Sequence, residues 1–176
     1  RLTVTGGRLK LGALTVQEDA QLTSAFLTSP ANLTATSLTV GGNLTLSADS
    51  EMNLAGLGYG PATTSNGKGQ GPGGGNSGGN RGGSGGGHGG VGGASQWAYF
   101  GSPYYEQAGG LAYDDLFAPT QAGSGGGQDV GGRGGGVVRL AVTGTATIDG
   151  RVDASGTNGI PHWQMGWGGG GGAGGS

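Results

Sequence analysis

The chain has 176 residues, 49 of them glycine, with three Phe, three Trp and no Cys, and its formal net charge is −2. Large apolar side chains are too few for the core that a compact globule of this length normally builds. The weak negative charge argues against nucleic acid and anionic membranes as partners, the lack of cysteine excludes disulfides and thiolate metal sites, and no apolar run approaches the ~20 residues of a membrane span.

Residues 1–57 read as a β-ladder of 12-residue units. Leu2–Ala13 is LTVTGGRLKLGA, Leu14–Ala25 is LTVQEDAQLTSA, Phe26–Ser37 is FLTSPANLTATS and Leu38–Asp49 is LTVGGNLTLSAD. Each unit opens on a short apolar/Thr strand, passes a turn cluster and closes on a second short strand. Leu9/Leu11, Leu44/Leu46 and Leu38/Val40 alternate with Arg8, Lys10, Thr39 and Thr45. This period of two marks strands, and Gly or Pro every few residues argues against helix. Leu9, Leu11, Leu44, Leu46, Val142 and Ile148 are expected inward, and Thr3, Lys10 and Thr45 outward. Asn32-Leu33-Thr34 and Asn43-Leu44-Thr45 are sequons. They make Asn32 and Asn43 candidate N-glycosylation sites at or beside turns.

Residues 58–136 form a glycine-rich insertion. From Gly71 to Ala94 it reads GPGGGNSGGNRGGSGGGHGGVGGA, mostly Gly-Gly-X triplets. A period of three suits an extended left-handed helix of three residues per turn, in which glycine faces let backbones approach closely. On this reading Gly90 faces a neighbouring backbone, and His88, the X of its triplet, is a surface group. Two aromatic groups break the glycines: Trp97, Tyr99 and Phe100 with Tyr104 and Tyr105, then Tyr113 with Phe117. They serve as a satellite core, as interface anchors or as a sugar-binding platform. Trp163 and Trp167 invite the same three readings.

Residues 137–156 return to the ladder. Leu140–Arg151, LAVTGTATIDGR, matches the first unit at Leu, Val, Thr and Gly, and VDASG at 152–156 parallels MNLAG at 52–56. One ladder interrupted by an insertion is therefore expected, and residues 157–176 form a second glycine-rich segment. The chain begins without Met and stops inside a glycine run, as expected of a processed chain or part of a longer one.

Catalytic and cofactor signatures are absent. GxGxxG matches are unavoidable in so much glycine and lack a strand-to-helix context. Asp114-Asp115 and Glu18-Asp19 read as solvated turn residues without acid/base spacing. Asp149, Asp153 and Asn158 fit no calcium-loop pattern. Two RGG triplets in an acidic chain do not make an RNA-binding segment. No cofactor is expected.

The ladder units resemble those of repetitive secreted β-helix proteins and adhesins of microbial surfaces. The triplets are similar to the polyglycine-II bundles of glycine-rich insect-type antifreeze proteins and some phage tail-tip adhesins, although here they are interrupted and lack cysteine staples. The expected fold is all-β, a β-helix or solenoid-like ladder with a polyglycine-II-like insertion; a β-sandwich is the alternative. The expected role is a non-enzymatic extracellular structural protein that self-assembles with identical subunits into a filament or surface layer. The alternatives are an adhesin or glycan-binding module using the aromatics, with glycans as partners, and an ice-binding surface built on pairs such as Thr143/Thr145/Thr147.

Overall fold

A computed structural model of the chain describes residues 14–17, 20–22, 25–27, 31–34, 37–46, 48, 51–77, 82–97, 105–161 and 168–176. Among them there is no helix, and the strands are short. The chain divides into two compact units, residues 1–54 with 138–153 and residues 55–137 with 154–176. The second unit thus unites residues 55–137 and 154–176, although the 16 residues 138–153 of the first unit separate them in the sequence.

The first unit is built from β1 (Leu14–Gln17), β2 (Ala20–Leu22), β3 (Ala25–Leu27), β4 (Ala31–Thr34), β5 (Ser37–Val40), β6 (Leu44–Leu46) and β7 (Glu51–Asn53). After the insertion come β10 (Arg139–Val142), β11 (Ala146–Ile148) and β12 (Arg151–Asp153). All pairings among them are parallel and form three ladders, β1-β4-β7-β12, β10-β5-β2 and β11-β6-β3. Successive strands enter the three ladders in rotation. The chain leaves after β7 and returns at β10, in the ladder whose turn it is.

The stacked repeat differs from the 12-residue unit. Leu14 pairs with Ala31, 17 positions on, and Ala25 with Leu44, 19 positions on. Three strands make one cycle where the sequence similarity counted two, because stacking follows backbone hydrogen bonds and burial rather than recurrence of a motif. The LTV of β1 and the LTV of β5 lie in different ladders. The likeness of residues 152–156 to 52–56 does correspond to stacking, Met52 pairing with Val152 and Asn53 with Asp153; residues 140–142, matched in sequence to the first unit, which lies outside the described residues, stack on Leu38–Val40.

Alternation sets the core of this unit. Val40, Leu44, Leu46 and Met52 are fully buried and Leu54 nearly so, while Thr45 between the two leucines is half-buried. Leu44 and Leu46 are therefore inward, as expected. Val142 is half-buried, and Ile148 departs from expectation at 43% exposed. Its register with Leu46 places it on the core-facing side, but β11 is the last strand of its ladder and nothing described stacks beyond it. Leu9, Leu11, Thr3 and Lys10 lie outside the described residues.

In the second unit hydrogen bonding has a period of three. Gly169, Gly172 and Gly175 donate their N–H groups to the carbonyls of Ile160, Thr157 and Ala154 at 2.7–3.1 Å. Gly170 and Ala173, one position on, donate instead to Gly127 and Ser124. Gly123 and Gly126 donate to Gly135 and Gly132, while Gly125 donates to Gln70 and Gly127 to Ser84. Each extended segment thus turns successive donors to different neighbours, and glycine permits the approach. A Cβ at Gly126 would strike the Gly170 carbonyl, and one at Gly110 that of Gly73. Gly90, in contrast, meets nothing within 4 Å. The regular triplets thus hold both kinds: a Cβ at Gly83, Gly86 or Gly92 would strike a carbonyl, while Gly89, Gly90 and Gly93 face open space.

Candidate functional site

Two surfaces merit attention: the last rung of the ladders and a braced loop on the glycine-rich unit.

On the last rung, β10, β11 and β12 each end their ladder, and no described strand pairs with their far sides. Ile148 and Val152 are 43% and 45% exposed, whereas their Cα partners Leu46 and Met52 are fully buried. The rung is tied to the one beneath it. Leu44 donates its N–H to the Thr145 carbonyl at 3.0 Å, and the Thr145 N–H donates to Asn43 Oδ1 at 2.9 Å. Arg151 contacts Glu51 Oε1 at 3.7 Å and also pairs with Asp153. Thr143, Thr145 and Thr147 are exposed on this rung. An edge of this kind offers backbone groups that template pairing with another strand.

The loop is residues 111–122. Asp114 has φ 71°, a left-handed conformation that Asp tolerates better than most residues. Its carboxylate accepts the N–H groups of Gln121 at 2.7 Å, Thr120 at 2.8 Å and Asp115 at 2.9 Å, and lies 3.2 Å from His88 Nε2. The His88 and Asp114 side chains are only 9% and 6% exposed. His88 is thus no surface group, and Asp114 no solvated turn residue. The loop folds back over the glycine segment, with the Tyr113 N–H donating to the His88 carbonyl at 2.7 Å and the two rings 5.0 Å apart. Desolvation raises the Asp114 pKa, but the backbone donors of Gln121, Asp115 and Thr120, helped by His88, outweigh it and hold the carboxyl well below the usual carboxylate range. Beneath it, the Gly73 N–H donates to Ser124 Oγ at 3.0 Å, Ser124 Oγ donates to Tyr113 Oη at 2.9 Å, and Tyr113 Oη donates to the Ala122 carbonyl. Burial raises the Tyr113 pKa.

These groups lock the loop in place. Ser124 is fully buried, and its hydroxyl is committed as acceptor and as donor. The loop instead carries Leu111, Leu116 and Phe117 at 71%, 75% and 94% exposure. Asp115 Oδ1 fixes the turn by accepting the N–H groups of Phe117 at 2.7 Å and Ala118 at 3.0 Å. The sequence gives no direct signal for the His88–Asp114 pair, since the two stand 26 positions apart with an aromatic group between them. Only the apolar-aromatic group of Tyr113, Leu116 and Phe117 marked the loop.

A pH prediction follows from the sign of the shift. A carboxyl with a depressed folded pKa stabilises the folded loop above its ordinary pKa, and that contribution is lost as pH falls through the folded value. The Thr120 and Gln121 amides should therefore remain protected when ordinary carboxyls are already protonated. Asp114→Asn should speed their hydrogen exchange at neutral pH without altering exchange in β6. Unchanged exchange at both amides would refute the brace.

The candidate aromatics are only partly placed. Trp97 ends β8 (Ser95–Trp97) and Tyr105 begins β9 (Tyr105–Gln107); these two strands pair antiparallel with Trp97 opposite Tyr105. Tyr99, Phe100, Tyr104, Trp163 and Trp167 lie outside the described residues. Asn43 is exposed in the turn before β6. Asn32 is the second residue of β4, within a strand paired on both sides, rather than in a turn. Among the described residues no cluster of His, Asp and Glu is arranged to hold a metal ion, and no helix is long and apolar enough to cross a membrane.

Comparison with protein families, curated proteins and solved structures gives no match.

Proposed function

We propose that this chain is a non-enzymatic structural protein, a subunit that self-assembles through its last ladder rung into an extracellular filament or surface layer. On this reading the three parallel ladders are the faces of a β-solenoid, and the glycine-rich unit is a polyglycine-II bundle. The observation that carries the reading is the exposure of Ile148 and Val152 directly in register with the buried Leu46 and Met52. A second copy stacked on this rung would bury both side chains, each worth roughly 1.5–3 kcal/mol when fully buried. It would also pair the strand edges. A head-to-tail contact that does not close gives an open fibre.

The test is light scattering and negative-stain microscopy of wild type and Ile148→Asp over a concentration series. Wild type should form fibres, and Ile148→Asp should need at least about tenfold higher concentration, since ~1.4 kcal/mol per contact already shifts association tenfold. A wild-type chain that stays a monodisperse monomer at high concentration would overturn the reading.

The pairing of Trp97 with Tyr105 across β8 and β9 favours a second reading, a glycan-binding module. It requires glycan-array binding that Trp97→Ala abolishes.

A further inference from the structure

The hydrogen-bond lattice of the glycine-rich unit has an unfilled position. Along residues 168–176, every third donor faces the segment 154–160, and the next in phase faces 124–127. The third phase, Gly168, Gly171 and Gly174, donates to no acceptor among the described residues. A groove of about 390 Å³ runs beside it, lined by Gly83, Gly85, Gly86, Gly93, Ala94 and Gly170–Gly172. The N–H of Gly93 likewise has no acceptor among the described residues.

The glycines at this position are not required by the chain's own packing. Added Cβ atoms at Gly126, Gly134 or Gly170 would strike backbone, whereas one at Gly171 meets only the Thr157 carbonyl at 3.8 Å and one at Gly93 meets nothing within 4 Å. Neither residue has a positive φ. Glycine costs roughly 0.5–1 kcal/mol of backbone entropy relative to alanine, and here no contact among the described residues repays that cost. A strand approaching from outside would, since it needs the same side-chain-free surface as the internal contacts.

We propose that this groove binds an extended glycine strand from a second copy of the chain. The chemistry of the occupant follows from spacing. At about 3.1 Å per residue, Gly171 and Gly174 stand about 9 Å apart. That matches the repeat of a three-fold glycine strand and not the two-residue repeat of about 6.8 Å along a β-strand. The chain carries such an element on its surface, residues 168–176 themselves: Gly171 and Gly174 are exposed, and a Cβ at either would meet nothing nearer than a carbonyl at 3.8 Å. The inference rests on the reading that copies associate, and adds a contact separate from the ladder edge.

The test combines light scattering with amide exchange on wild type, Gly171→Leu and Ile148→Asp. Gly171→Leu should keep the wild-type thermal midpoint, and Gly174→Leu replaces it if it does not. In wild type, exchange at Gly93, Gly171 and Gly174 should be fast in dilute monomer and at least tenfold slower in the assembly. Gly171→Leu should raise the concentration needed for assembly at least tenfold. If wild type assembles, Ile148→Asp impairs it, and Gly171→Leu assembles normally with these amides still fast, the groove is overturned and the ladder-edge reading stands. Slow exchange in dilute monomer would also overturn it, because the position would be filled within one chain. A wild-type chain that never assembles overturns both.

Discussion

Replacing Leu44 with Asp should unfold the ladder unit, whereas Thr45→Asp, one residue away, should be mild. Leu44 is fully buried between Ala25 and Ala146 in register, and Thr45 is half-buried on the alternate side of the same strand. The first substitution forfeits roughly 1.5–3 kcal/mol of burial. It also places a carboxylate among Val40, Leu46 and other core side chains, where an unpaired charge is costlier still. A loss of more than about 3 kcal/mol is expected, a large fraction of the ~5–15 kcal/mol that holds a domain folded. Thr45→Asp should stay within about 1 kcal/mol. Denaturant melts of both variants, followed in the far ultraviolet, would decide; equal midpoints would reject the assignment of faces.

Gly126→Val should be similarly severe in the second unit, and Gly90→Val should be nearly silent. Both are glycines in glycine-rich runs, so composition gives no reason to separate them. A side chain at Gly126 would collide with the Gly170 carbonyl, while one at Gly90 would enter open space. Because the colliding atoms are backbone, no side-chain rotamer can relieve the overlap. The segment must separate, losing bonds such as Gly126 N–H to the Gly132 carbonyl and Gly170 N–H to the Gly127 carbonyl. Overpacking costs typically ~1–3 kcal/mol, and lost buried hydrogen bonds add about 1–3 kcal/mol each. Gly126→Val should therefore abolish slow amide exchange across residues 123–136. Similar exchange in the two variants would show that the segments are not packed as described.

What the sequence alone determined was periodicity. Leu44-Thr45-Leu46 announces a strand with one buried face, because side chains alternate across a pleat whatever the strand packs on. The likeness of residues 152–156 to 52–56 foretold that Val152 would lie beside Met52, since stacked strands share one environment and so one pattern. Tertiary structure alone decided which strand stacks on which. LTV of β1 and LTV of β5 lie in different ladders, and a local pattern does not encode a 17-residue offset. It also decided which glycines are indispensable, because a glycine is needed where a distant backbone passes, as Gly170 does at Gly126. And it joined His88 to Asp114: the carboxylate is held by the backbone donors of Asp115, Thr120 and Gln121, groups that every residue but proline possesses and no sequence displays.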